Sequence, residues 1–158
     1  MTNAHLSAAD QRFLAIAIEE AQTGWDEGGI PIGAALIAAD GTVLGRGHNR
    51  RVQDGSPIHH GETDAFANAG RLPATVYQGA TMYTTLSPCA MCTGTMLLYG
   101  VPRVVIGENE TFMGEEELLR SRGVEVVVAD SDECKALMRR MIAEKPDLWF
   151  EDIGEEHA

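Results

Sequence analysis

The stretch ATMYTTLSPCAMCTGTMLLYGVPRVVIG, residues 80–107, decides the fold. It opens with Ala80 to Leu86, an apolar, aromatic and β-branched run that reads as a buried strand. Cys89 to Tyr99 then reads as a helix closed by Gly100, and Arg103 to Gly107 as a second strand. Downstream the alternation continues, with a helix over Glu115 to Arg120 and a strand over Val124 to Ala129. Ser131 to Ala143 is a helix with Cys134, Leu137, Met138 and Met141 on one face, and Pro146 admits a short last turn through Trp149 and Phe150. Upstream, His60 to Ala69 is helical. Before it, Pro31 to Ala39 is a near-continuous apolar strand, Asp40-Gly41 a hairpin turn, and Thr42 to Gly47 the returning strand. At the start, Ser7 caps a helix with Asp10 three residues on, and Leu14, Ala17, Ile18 and Ala21 form its apolar stripe before Gly24 ends it. A hairpin followed by βαβαβ-like alternation predicts one mixed sheet covered on both faces. With no repeat and no long linker, residues 1–158 form a single domain.

Composition narrows the function. The chain has 158 residues, 44% hydrophobic and 23% charged, which is globular and large enough for a core without disulfide staples. Lys and Arg number 12 against 24 Asp and Glu, a net charge of −12. Such a chain repels polynucleotides and anionic membrane surfaces, so the partner expected is a small neutral or cationic molecule. Three cysteines do not make a secreted disulfide framework. No apolar run is long enough to span a bilayer, and Met1 to Gln11 lacks the pattern of a signal peptide. A cytoplasmic domain is expected.

Two segments stand apart: His60-Gly61-Glu62 and Pro88-Cys89-Ala90-Met91-Cys92. Cys89 and Cys92 at a helix start bring two sulfurs to one point, where the helix dipole favours thiolate. Two thiolates suit zinc, and imidazole is its commonest further ligand. His59 or His60 could serve, and the spacing to Glu62 favours His60. Three protein ligands leave the fourth position to water, whose pKa zinc lowers from about 15.7 toward about 7. Glu62 is placed to take and return protons. Alone, the cysteine pair also fits a redox dithiol or two core cysteines, but H-x-E upstream of P-C-x-x-C is the combination that zinc-dependent nucleobase deaminases use. Other candidates carry plainer readings. Asn49 fits a turn, Trp149 and Phe150 an amphipathic helix on the core, and Asp152 one of several solvated acids. Cys134 fits the core, and Glu115-Glu116-Glu117 a solvated helix start.

The chain resembles the cytidine deaminase-like superfamily and, within it, the fungal-type cytosine deaminases. The likeness also takes in Glu27 to Gly33, Gly41 to Asn49, Tyr83 to Cys89, Cys92-Thr93-Gly94, Tyr99-Gly100, Gly107-Glu108-Asn109 and the terminal Trp149 to Glu155. The resemblance implies a three-layer α/β/α sandwich around a mixed five-stranded sheet, assembled as a homodimer. It assigns one zinc ion per chain to His60, Cys89 and Cys92, and proton transfer to Glu62. Asn49 and Asp152 would hydrogen-bond the polar edge of the substrate ring, and the Gly61 N–H would support the ring oxygen. Leu86, Ser87, Phe112, Trp149 and Phe150 would line or roof the pocket, with residues 146–158 as its lid. The implied reaction is deamination of a small free heterocycle, cytosine first, with creatinine, a pterin, a triazine or guanine as alternatives. Pro57-Ile58-His59 and Thr63 to Phe66 depart from the fungal pattern and bear on that choice. A tRNA adenosine deaminase would share the metal motif but needs the positive surface this chain lacks. A non-catalytic zinc or redox module would have no use for Glu62.

Overall fold

Five strands form one mixed sheet in the order β2-β1-β3-β4-β5 in the computed structural model, which describes residues 6–155. The hairpin strands β1 (Gly33–Ile37) and β2 (Val43–His48) are antiparallel, and β1 also runs antiparallel to β3 (Thr81–Leu86). From β3 onward the pairing is parallel, to β4 (Arg103–Glu108) and then β5 (Glu125–Val128). The βαβ reading of residues 80–107 therefore accounts for the parallel half, and the Asp40-Gly41 turn for the antiparallel half.

Strand alternation divides the core in two. Ala34, Leu36, Met82, Val104 and Ile106 face one layer, built from α3 (Gly61–Ala69), α4 (Ala74–Tyr77), α5 (Ala90–Tyr99) and α6 (Glu116–Ser121). Ala35, Ile37, Tyr83 and Val105 face the other, where α1 (Ala8–Asp26) supplies Phe13, Leu14 and Ala17. On that side α7 (Asp132–Glu144) packs on α1 and β4. The expected three-layer sandwich is present.

A third cluster joins Ile30, Ile32 and Leu86 to Met138 and Met141 of α7 and to Trp149 of α8 (Pro146–Asp152). It seats the C-terminal helix beside the end of β3, where the site residues begin.

Two expected boundaries move for physical reasons. Helix α1 runs through Gly24 because that glycine serves a close approach: a Cβ there would meet the His48 ring and the Ile30 carbonyl, each at 3.1 Å. The first strand is shorter than Pro31 to Ala39, since the chain is already turning at Ala38, whose N–H donates to Thr42. Ser7 caps α1 as expected, its Oγ accepting from the Asp10 N–H at 3.0 Å. The last three residues of the expected lid, 156–158, lie outside the described residues.

Candidate active site

Two helix starts bring the metal-type ligands together. His60 precedes α3 in extended conformation, and its N–H donates to Thr63 Oγ1 at 2.9 Å, which closes the first turn. Cys89 precedes α5 in the same way, and Cys92 lies within its first turn. The position of α3 is set by β2: a Cβ at Gly45 would meet the Ala65 carbonyl oxygen at 2.3 Å, so helix and strand touch backbone to backbone. The Asp64 carboxylate accepts from the His48 N–H at 3.1 Å and ties the same pair.

His60 Nδ1 lies 3.4 Å from Cys89 Sγ and 3.7 Å from Cys92 Sγ, and the three ligand atoms fall within 4.8 Å of one another. A tetrahedral zinc ion with Zn–S near 2.3 Å and Zn–N near 2.0–2.1 Å requires N···S edges of about 3.6 Å. The donor set and its spacing fit zinc. The second ring nitrogen, Nε2, is 3.6 Å from Asp152 Oδ1, a carboxylate partner of the kind that orients ligating histidines. His59 turns instead toward Asp54, with Nδ1 at 3.3 Å from the carboxylate, so it is His60 that joins the cysteines.

Glu62 sits beside this triad, 3% exposed. Burial above all, reinforced by Cys89 and opposed by His60, pushes its carboxyl up to about 7. The Cys92 thiol's hydrogen bond, with help from His60 and against burial, draws Cys89 down to about 4, while Cys92 is raised. The pair releases one proton readily and the second reluctantly, and a divalent cation supplies the charge the second loss needs.

A cavity of about 420 Å³ opens onto these groups. Of the residues expected there, it is lined by Asn49, His60, Glu62, Leu86, Ser87, Cys89, Phe112, Trp149 and Asp152; Ile32, Pro57, Ala90, Met91, Ile153 and Gly154 complete the wall, with Glu115, expected only in a solvated helix start, also on it. Phe112 and Trp149 meet edge to face, ring centres 6.2 Å apart. Asn49 is fully buried and Asp152 nearly so; Asn49 Nδ2 donates to Asp152 Oδ1 at 3.2 Å. Cys92 is fully buried, and neither it nor Gly61 lines the cavity; Gly61 opens α3, where a Cβ would lie 3.2 Å from the Ile32 carbonyl oxygen. Phe150 does not line the cavity. One residue on from Trp149, it is rotated about 100° round α8 and packs at the edge of the third cluster, whereas Asp152 and Ile153 share the Trp149 face.

Two residues beside the site escaped the sequence reading. Glu116 is not solvated but 2% exposed, with Oε2 accepting from Ser87 Oγ at 2.6 Å. Arg51 opens the four-residue α2 (Arg51–Asp54) and pairs with Glu151 and Asp152. Neither carries a motif. Cys134 lies in the core, 1% exposed, its thiol raised to about 12 by burial.

Residues 7–108 match the family described as the cytidine and deoxycytidylate deaminase zinc-binding region. The chain is 56% identical over 146 residues to a cytosine deaminase of Candida albicans, covering 92% of this chain and 97% of that one. It is 37% identical over 99 residues to a tRNA-specific adenosine deaminase of Bacillus subtilis, covering 62% of this chain and 61% of that one. Among solved structures, one described with 2,6-diaminopurine superposes with TM-score 0.71 at 25% identity, over 90% of this chain and 87% of that one. Another, from a study of tRNA deaminases acting at the wobble position, gives TM-score 0.69 at 26% identity, over 80% and 99%. With that family match over residues 7–108 and 56% identity along nearly the whole length of the Candida albicans enzyme, the chain belongs to the cytidine and deoxycytidylate deaminase family.

Proposed function

We propose that the protein hydrolyses free cytosine to uracil and ammonia. The observation that carries this reading is a buried carboxyl, Glu62, beside the His60, Cys89 and Cys92 ligand atoms at the floor of a cavity with apolar walls. The near-full-length likeness to the Candida albicans cytosine deaminase selects the ring.

His60 Nδ1, Cys89 Sγ and Cys92 Sγ would hold one zinc ion per chain. When bound, zinc acidifies a water molecule at neutral pH. Glu62 carries one proton of a water molecule to the ring nitrogen beside the amino-bearing carbon, as the water oxygen bonds that carbon. Glu62 then moves the proton left on that oxygen to the amino nitrogen, so the carbon–nitrogen bond breaks, ammonia leaves and the carbonyl of uracil forms. A carboxyl drawn toward neutrality exchanges protons in both directions. Asn49 and Asp152 hold the polar edge of the ring, the Gly61 N–H supports its oxygen, and Leu86, Ser87, Phe112 and Trp149 exclude water. The segment from Pro146 closes the cavity as a lid.

The protein works as a homodimer in the cytoplasm, in pyrimidine salvage, without a nucleic-acid partner. Helix α5 supports the dimer: its sequence carries no charge, and Leu98 is 75% and Tyr99 42% exposed. Net charge −12 speaks against an RNA substrate.

An ammonia-release panel over cytosine, 5-fluorocytosine, cytidine, creatinine, guanine and pterin, with metal analysis, tests the reading. Cytosine is expected to lead, with one zinc per chain. Glu62→Gln should keep the zinc and lose roughly a hundred- to ten-thousand-fold in turnover. A preference for guanine, or near-normal ammonia release by Glu62→Gln, overturns it.

A further inference from the structure

Arg51 follows Asn49 by two residues and opens α2 outside the cavity. Its guanidinium grips Glu151 with two parallel bonds, Nη1 to Oε1 at 2.7 Å and Nη2 to Oε2 at 2.6 Å. Nη1 also reaches Asp152 Oδ1 at 3.3 Å, and Nε donates to the Pro57 carbonyl at 3.3 Å. Through its main chain the same residue turns Asn49: the Arg51 N–H donates to Asn49 Oδ1 at 3.0 Å, which leaves Nδ2 to donate to Asp152 Oδ1 at 3.2 Å. Arg51 Nη1, Asn49 Nδ2 and His60 Nε2 thus converge on one oxygen of Asp152, Oδ1.

Helix α8 is otherwise seated by Leu148, Trp149, Phe150 and Ile153 on the third cluster. Apolar packing is non-directional and does not by itself fix the register of a seven-residue helix. A forked guanidinium–carboxylate pair is directional, and its Arg51 half is only 14% exposed while Glu151 is 39% exposed.

The geometry points to Arg51 as the positioning residue of the ring-recognition site, fastening the C-terminal helix and orienting Asn49 and Asp152 together without meeting the substrate. The inference rests on the cytosine reading for its kinetic assay only.

The test uses the zinc-loaded full chain with Arg51→Gln, Arg51→Lys, Glu151→Gln and the Arg51→Gln, Glu151→Gln double variant. Arg51→Gln is expected to raise KM for cytosine at least tenfold while changing kcat by less than threefold. Arg51→Lys, which keeps the charge but loses the fork, should recover part of that loss. The double variant should be no worse than Arg51→Gln alone. Hydrogen exchange should quicken in 146–152 and stay unchanged in α3 and α5. An unchanged KM with unchanged exchange of α8 overturns the inference. So does a variant that loses zinc and quickens exchange throughout, since Arg51 would then be merely structural. If the wild-type chain releases no ammonia from cytosine, the cytosine reading falls, and the exchange measurement still decides the fastening of α8.

Discussion

Glu116 shows what a single side chain can hold in place. Ser87, on the cavity wall, donates its hydroxyl proton to Glu116 Oε2 at 2.6 Å and accepts from the Gly114 N–H at 2.9 Å. Asn109 Nδ2 reaches the other carboxylate oxygen at 3.3 Å. The segment carrying Phe112 is thus pinned at both ends to a buried acid. Glu116→Ala leaves the Ser87 hydroxyl without its acceptor, and an unsatisfied buried donor costs about 1–3 kcal/mol. Urea unfolding of that variant should show a loss in this range, and KM for cytosine should rise as Phe112 loosens. A variant with wild-type stability and KM would show that Glu116 is a bystander. The burial of this residue was hidden in the sequence because three consecutive acids look like a solvated helix start, and nothing in the pattern says that Ser87 arrives opposite the middle one. Glu62, His60, Cys89 and Cys92 were legible because metal chemistry fixes their spacing along two helices; Asn49 and Asp152 were legible only through resemblance, since they meet across more than a hundred residues of chain.

At the scale of elements, legibility followed length. The strands and the longer helices announced themselves through their periods, whereas α2 and α4, of four residues each, are shorter than the repeat that would reveal them. The consequence is functional, because α2 carries Arg51. What the pattern also concealed is how tightly α3 sits on β2. Gly45 and Gly47 face the helix, and a Cβ at Gly45 would lie 2.3 Å from the Ala65 carbonyl oxygen and 2.5 Å from the Ala69 nitrogen. These are backbone atoms, so no rotamer change relieves the clash and the helix itself must shift. Overpacking of this kind costs about 1–3 kcal/mol. Because His60 and Glu62 stand at the start of α3, Gly45→Ala should lower thermal stability and weaken zinc retention against a chelator together. Stability lost with zinc affinity intact would mean that the helix pivots about its metal-binding end and does not shift as a body.

For the whole molecule, the balance of charge sets how stability responds to acid. With −12 overall, mild acidification relieves self-repulsion, so the losses on the acid side must come from particular carboxylates that folding has made stronger acids. Asp10 is the clearest. It joins the first turn of α1 to the centre of the sheet, accepting from Arg103 Nη1 and Nη2 at 2.8 Å each and from the Tyr83 hydroxyl at 2.7 Å. The Arg103 guanidinium above all, against the pull of burial, lowers its carboxyl from 3.8 to about 2. Since the folded value lies below the unfolded one, the stabilisation is fully present above about pH 4 and fades as pH falls toward 2. The drop corresponds to about 2 kcal/mol at neutral pH. Asp10→Asn should therefore unfold in urea with a deficit of about 2 kcal/mol at pH 7, and that deficit should shrink to roughly half by pH 3 as the wild type loses the same contribution. A deficit that stays constant across this range would place the effect in packing or capping at the start of α1, and the charge on Asp10 would then have no part in the acid response of the fold.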